Sequence, residues 1–529
     1  MMIVSAIAIA VLLPLANASI LTSRGSLPSS LQSCLKTTDV ETLYPGNPKY
    51  DERRKPQNRN YDPHPEVIVL PSSSKQVARV VRCVAAEKGK VKITARGGGH
   101  SYAAYSYTGQ VIVDSSKMKA MTIYDKKREV SVQWGQTLKP LVVAIGKRGF
   151  ALPHGTCPDV GVAGHALGGG WGFLSRKWGW FVDHGMYGFM FDAADAFDNV
   201  LTLSTVVSME FVDVNGNIKT LNPRSTGLDG ELWWALRGAG SNNFGIVTSF
   251  TFAMEKAPTA MVNYELAFAS ESDCTELLLA IQEHGSLPAD DPNGIPLELG
   301  AEVDFTGLAP GDTQACVLTG QYVGTKPAFL SLIDRLLGRR GLKWIDSDSY
   351  IKVFKDWISA ETDRMDDPMP AEYYYAKSLL DDGTPGYTAR SAESIFDALR
   401  SAREIEGLET DVAFDLNGPG STPNRPPSTG DMAFNHRRSL FSIQTDSFNF
   451  PGFTDPTREK AMGKLADLAD AIEQADPTAE WNAYQNYVDP RLEDFGRAYY
   501  GSNLDRLKHL KSVTDPDTVF DFPQGLSRA

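Results

Sequence analysis

Arg96-Gly97-Gly98-Gly99-His100-Ser101-Tyr102 and Leu152-Pro153-His154-Gly155-Thr156-Cys157-Pro158 are the two stretches on which the reading of this chain turns. Each sets one reactive side chain, His100 or Cys157, beside glycines that allow close backbone approach. The second runs on into Gly161-Val162-Ala163-Gly164-His165-Ala166-Leu167-Gly168-Gly169-Gly170-Trp171-Gly172. Glycine-rich turns can aim bare N–H groups at phosphate oxygens. Neither Gly168 to Gly172 nor Gly238-Ala239-Gly240 completes the dinucleotide fingerprint of a Rossmann unit. Taken singly, His100 reads as a turn histidine and Cys157 as a buried thiol. His154 with Cys157 supplies two metal-type ligands three apart, and no second pair accompanies them, so no metal site is expected.

A chain of 529 residues is too long for one core and suits two large domains or a discontinuous pair. Hydrophobic content of 42% and charge of 22% are those of a folded globular protein. The net charge of −13, with no basic cluster to offset it, argues against nucleic acid or an anionic membrane as partner. Ile3 to Leu15 is apolar but too short to span a bilayer, and Ala16-Asn17-Ala18 follows it. Residues 1–18 therefore read as a signal peptide of a secreted protein, although the usual positive n-region is missing.

Val67 to Leu70 reads as a strand closed by Pro71. Ser72-Ser73-Ser74 caps a helix whose stripe is Val77, Val80, Val81 and Val84, ended by Gly89. Val91 to Ala95 returns as a strand and delivers Arg96 into the triple-glycine turn. Val111 to Val113 and Val130 to Val132 are further strands, followed by a helix near Leu138 to Lys147. Alternating short strands and helices make this half α+β. Pro258 marks a boundary, and longer strands and helices run from there to about residue 478.

The His100 and Cys157 segments together resemble the double flavin-attachment site of the berberine bridge enzyme-like FAD oxidases, of the vanillyl-alcohol oxidase superfamily. Leu232-Trp233-Trp234-Ala235-Leu236-Arg237-Gly238, Asn243-Phe244-Gly245-Ile246-Val247-Thr248 and the closing run from Trp481 through Phe522-Pro523-Gln524 extend the match over nearly all of the mature sequence. The resemblance implies a PCMH-type two-part FAD-binding domain plus a substrate domain with an antiparallel sheet backed by helices. Its expected limits are 62–257 and 258–478, with 479–529 returning to the FAD domain. It implies bicovalent FAD, His100 on the 8α-methyl carbon and Cys157 on C6. Arg96, Gly97, Gly98, Gly99, Ser101, Thr156, Gly161, Gly164, His165, Gly169, Gly170, Ile246 and Val247 are the further cofactor-binding candidates. It also places an N-terminal disulfide at Cys34 and Cys83, against the alternative of two buried thiols. Cys274 and Cys316 can pair, but spacing alone does not establish it.

The family's carbohydrate oxidases carry a base tyrosine within Tyr-x-Asn-Tyr-x-Asp, here Tyr484-Gln485-Asn486-Tyr487-Val488-Asp489. By that resemblance Tyr487 is the base and Tyr484 a neighbouring site residue. If the segment is a strand, 485, 487 and 489 share one face while 484 and 486 share the other. A phenol with a pKa near 10 is a poor base unless something accepts its proton. Asp415 is the candidate partner, Asp411 four residues earlier remains a second, and Tyr102 should line the substrate side.

One departure stands out. Relatives follow the glycine-rich helix start with Ser-Arg-x-x-Gly-Leu-x-x-Asp-Asn-Val and then a strand. Here Ser175-Arg176-Lys177-Trp178-Gly179 leads into Trp180 to Val200, and the pattern resumes at Leu201 with Ser204-Thr205 in place of Asp-Asn. Residues 180–200 read either as an aromatic loop lining the groove or as an unspliced in-frame intron, with the clean rejoining of the flanks favouring the second. The expectation is a secreted, monomeric FAD-dependent oxidase. It takes hydride from an alcohol, the C1–OH of a sugar or oligosaccharide, and dioxygen reoxidises its flavin to give hydrogen peroxide. The alternatives are an oxidase tailoring a secondary metabolite, or a flavin- or carbohydrate-binding protein without turnover.

Overall fold

Val67-Ile68-Val69-Leu70 is buried at all four positions, which demands cover on both faces of its sheet. In the computed structural model, which describes residues 27–183, 206–308, 311–365, 369–382, 386–418, 421 and 432–528, this strand pairs in parallel with Val111–Asp114, and Val111–Asp114 with Ile93–Arg96. Glu41–Leu43 closes the other edge antiparallel. The expected helix runs Ser74–Ala85, capped by Ser73, whose hydroxyl accepts the Gln76 N–H, and Val77, Val80, Val81 and Val84 are fully buried. The helix expected near Leu138 to Lys147 is Leu138–Gly146. A second, five-stranded antiparallel sheet runs in the order Met121–Tyr124, Glu129–Gln133, Gly245–Ala253, Val206–Asp213 and Ile218–Leu221.

The second half is built on an eight-stranded antiparallel sheet. Its centre sets Leu299–Phe305, Glu409–Leu416, Ser439–Phe448 and Tyr374–Asp382 side by side. Alternation along these strands sends the two faces to different surroundings. Val303, Phe305, Val412, Phe414, Phe441 and Ile443 join one core with residues of the helices Glu271–Gly285, Lys326–Leu337, Ala389–Ala402 and Arg458–Ala475. Glu302, Asp304, Asp411, Asp415, Gln444 and Asp446 occupy the alternate positions of the same strands. The opposite face of this sheet is therefore polar, and it fronts the first half.

The chain then returns. Ile93 N–H donates to the Val519 carbonyl at 3.0 Å, and the buried Lys511 ammonium donates to the Asn243 and Phe520 carbonyls at 2.5 and 2.6 Å. Two disulfides staple the halves internally: Cys34–Cys83 joins the helix Ser29–Lys36 to Ser74–Ala85, and Cys274–Cys316 joins a helix to the large sheet. The pairing that spacing left open at Cys274 is thus settled by tertiary proximity, with Cα atoms 5.8 Å apart. Cys157 is the free cysteine among the described residues. No helix among them is long and apolar enough to cross a membrane. The signal-peptide expectation at residues 1–18 lies outside the described residues.

The first residues of the expected interruption belong to the packed fold, which corrects its start. Trp180, Phe181 and Val182 are each 1% exposed. Phe181 and Val182 donate their N–H groups to the Gly170 and Gly169 carbonyls, both at 2.8 Å. Asp183 holds Arg437 through both carboxylate oxygens. Gly179-Trp180-Phe181-Val182-Asp183 thus fills the Gly-Leu-x-x-Asp places of the family pattern, and the departure begins at residue 184. The sequence hid this because Trp replaces Leu and His184 replaces Asn. Residues 184–205, on which the choice between loop and intron rests, lie outside the described residues.

Candidate active site

Between the two halves lies a cavity of about 430 Å³, within the range typical of small-molecule sites. The first half contributes Gly97 to Tyr102, Gly155 to Cys157, Gly161, Ala163 to His165, Ile246 and Val247. Here glycine is required by contact: a Cβ on Gly98 would stand 2.4 Å from Gly161 N, and one on Gly161 2.3 Å from Gly98 N. The two glycine turns therefore touch backbone to backbone and present main-chain groups to the cavity.

No carboxylate lines this wall among the described residues, although Asp159, just beyond Cys157, acts on both His100 and Cys157. Burial holds His100 below its usual histidine pKa, leaving a neutral imidazole with a free lone pair. Burial pushes the Cys157 thiol up to about 11, against a hydrogen bond with Thr156, so it rests protonated. Backbone groups of two touching glycine turns and two nucleophilic side chains on one cavity fit a flavin dinucleotide.

The structure brings Gly97, Gly98, Gly99, His100, Ser101, Thr156, Cys157, Gly161, Gly164, His165, Ile246 and Val247 to the cavity wall. Three expected cofactor residues point elsewhere. Arg96 donates through Nη1 to Asp114 and through Nε to the Tyr107 hydroxyl, both at 2.6 Å. Asp114 is fully buried, and an unpaired charge there would be costly, so the arginine is a structural counter-ion. Gly169 (φ +130°) lies under Phe434 and Tyr484, where a Cβ would meet Phe434 at 2.7 Å, and Gly170 lies against Phe181 and His165. These two glycines pack the aromatic layer behind the site.

Tyr484 to Asp489 is a turn, not a strand. The strand ends at Asn482, and Tyr487 N–H donates back to the Tyr484 carbonyl at 3.0 Å. A strand would send Tyr484 and Tyr487 to opposite faces. The turn sets their rings edge to face, 4.8 Å between centroids. Tyr484 is fixed from behind: its hydroxyl accepts from Gly170 N–H at 2.7 Å and from Asn486 Nδ2 at 2.9 Å. Tyr487 stacks on Tyr102 at 5.9 Å, and Gln444 Nε2 donates to the Tyr102 hydroxyl at 3.0 Å.

The Tyr487 hydroxyl donates to Asp415 Oδ2 at 3.4 Å. Asp411 instead sits opposite Asp446 in the sheet register, which separates the two candidates. Burial, then Asp415, holds the Tyr487 phenol well above its usual range. Burial and Glu302 likewise hold Asp415 well above the usual carboxylate range.

Glu302, Gln444 and Asp446 complete the wall from the large sheet, and none was anticipated from sequence. A signal was present for the first: Glu302-Val303-Asp304 alternates polar and apolar within an otherwise apolar strand. His154, weighed as a metal ligand, instead faces Glu361 at 3.6 Å and the Trp357 ring.

Comparison with known proteins places these features. The family profile described as "FAD binding domain" matches residues 65–188, and that described as "Berberine and berberine like" matches 483–527. A xylooligosaccharide oxidase of Thermothelomyces thermophilus is 30% identical, the match covering 98% of this chain and 99% of the relative. The structure of a xylooligosaccharide oxidase from Myceliophthora thermophila with xylobiose superposes with a TM-score of 0.77 at 26% identity, covering 95% of this chain and 100% of that one. A glucooligosaccharide oxidase from Acremonium strictum, described with 6-S-cysteinyl, 8α-N1-histidyl FAD, shares the fold at TM-score 0.78 and 24% identity, covering 94% and 99%.

Proposed function

The chain belongs to the berberine bridge enzyme-like family of FAD-linked oxidoreductases, and on that premise we propose that it oxidises the C1 hydroxyl of a sugar or oligosaccharide to the lactone. The observation that carries the reading is Tyr487, stacked on Tyr102 at the cavity wall and hydrogen-bonded to Asp415. Bound there, a flavin would supply the hydride acceptor and the route for electrons to dioxygen, giving hydrogen peroxide. The glycine turns around Gly98 and Gly161 would hold the dinucleotide, and His100 and Cys157 would be its attachment residues.

Tyr487 takes the hydroxyl proton while its own proton moves to Asp415. A positioned base of this kind is what a weakly acidic alcohol requires. Tyr102 and Gln444 orient the substrate beside it. Two disulfides support an oxidising compartment and hence secretion.

The test is anaerobic flavin bleaching and aerobic peroxide release across mono- and oligosaccharides, with aromatic alcohols in parallel. Bleaching by sugars supports the reading; bleaching by aromatic alcohols alone refutes the substrate class. Colour that stays on the denatured chain supports covalent flavin, and a colourless chain refutes it. Tyr487→Phe keeps the flavin and slows its reduction at least about 100-fold. An unchanged rate removes Tyr487 from the mechanism.

A further inference from the structure

We propose that Glu302 and Asp415 act as one proton-sharing pair, so that two carboxyls, and not Asp415 alone, receive the proton that Tyr487 gives up. This rests on the reading of Tyr487 as the base. Glu302 and Asp415 are direct partners in the register between Leu299–Phe305 and Glu409–Leu416. Directly opposite residues of antiparallel strands lie on one face with Cβ atoms about 5 Å apart. After burial, Glu302 is the largest influence raising the Asp415 carboxyl. Two like charges so placed resist ionising together, and one proton held between the two carboxyls relieves them.

Asp415 is 1% exposed and has Tyr487 on its other side, at 3.4 Å. Glu302 lines the cavity. The order Tyr487, Asp415, Glu302 is thus a chain of three groups, starting at the reacting oxygen and ending at the cavity wall.

Among the described residues no cation counts among the groups acting on Asp415. Asp304 shares the strand of Glu302, Asp411 that of Asp415, Asp446 comes from the next strand, and Glu265 from Met261–Phe268. Tyr102 and Tyr484 face Tyr487 from the loops. Glu302 and Asp446, both acidic, are the side-chain carboxyls acting on Asp415. Arg364, which acts on Glu265, donates to Thr319 Oγ1 and the Gly320 carbonyl at 3.0 Å each.

In turnover the substrate O–H bond breaks and its proton goes to Tyr487 Oη, as the Tyr487 proton goes to Asp415. The proton already shared shifts to Glu302, so the pair gains one proton in all. The electron pair leaves with the C–H hydrogen as the hydride. The pair returns its extra proton to solvent when the product departs. With the shared proton in place this transfer is slow; the fully ionised pair takes the Tyr487 proton directly into the shared position, so the rate climbs as pH passes through the second ionisation of the pair. Glu302→Gln removes the like charge, and Asp415 becomes an acceptor at lower pH.

The experiment compares the holoenzyme with Glu302→Gln in two readouts. The first is the anaerobic flavin-reduction rate against pH with the best alcohol substrate. The second, which needs no substrate, is infrared titration of the protonated-carboxyl stretch. Glu302→Gln is expected to move the rate inflection down by about one pH unit or more, making the variant faster than its parent on the acid side and slower at the plateau. A merely structural role lowers the rate at every pH.

A protonated-carboxyl band present at neutral pH is expected to vanish in Glu302→Gln and in Asp415→Asn alike. An unmoved inflection in a variant that retains flavin overturns the proposal. So does the lack of a neutral-pH carboxyl band that Asp415→Asn removes. If no alcohol reduces the flavin, the proposed oxidation fails, and the infrared titration still decides the pair.

Discussion

Trp180 is the sharpest probe of where the core ends and the interruption begins. Its side chain is 1% exposed, with ring centroids 4.8 Å from Phe434 and 4.9 Å from Tyr484. Trp180→Ala removes the indole from a layer that also holds Trp171, Phe173 and Val182. Truncating a buried aromatic costs about 3–5 kcal/mol, of which each aromatic pair accounts for roughly 0.5–1.5 kcal/mol. For a large cooperative unit, about 2–4 °C is lost per kcal/mol, so the midpoint should fall by roughly 6–20 °C.

Far-UV circular dichroism during heating and in denaturant reads this without depending on the deleted fluorophore. Val513→Ala, at a helix position 52% exposed, serves as the control and should stay within about 0.5 kcal/mol of the parent. The loss has a route to the site, because Tyr484 leans on Trp180 and its hydroxyl holds the Gly170 N–H. A Trp180→Ala protein as stable as the control would refute the placement of residues 180–183 in the core.

Two further outcomes follow from the second half. Replacing Cys274 and Cys316 together by Ala opens a loop of 42 residues between two fully buried positions; chain entropy alone makes this cost about 4 kcal/mol, and an unfolding free energy unchanged in denaturant titration would show the bridge is not formed. Burial, opposed by Gln444 and reinforced by Glu302, pushes Asp446 up to about 7, so the folded state keeps a proton that the unfolded chain releases near about pH 4. That group's share of stability therefore falls as pH rises from about 4 to about 7, and Asp446→Asn should flatten the parent's slope in that window. Parallel slopes for the two proteins would contradict the raised value.

The local elements of the first half were legible because their information is local. The four-residue strand from Val67, the valine stripe of the following helix and its serine cap each depend on spacings of one to four residues. The same holds for the glycine turns, whose Cβ clashes leave no other residue type at Gly98 and Gly161. His100 and Cys157 were found through those turns, and Tyr487 through a six-residue motif. Where expectation and structure differ, one cause recurs. The resemblance put Arg96 among the cofactor candidates, yet its side chain is held by Asp114 on a neighbouring strand. The Tyr484 segment was tested as a strand, and a single turn hydrogen bond reversed the relation of its two tyrosines.

By itself the sequence determined the class of cofactor and singled out His100, Cys157 and Tyr487 as the residues to propose for its attachment and for the base, since the family resemblance resides in short motifs. Only the tertiary structure decided which carboxyl Tyr487 meets, that Glu302 stands opposite Asp415, and that Trp180 to Asp183 close the core. Glu302 and Asp415 are brought together by strand register. Register is set by which faces of many distant strands must be buried at once, a condition that no single stretch of the chain can express.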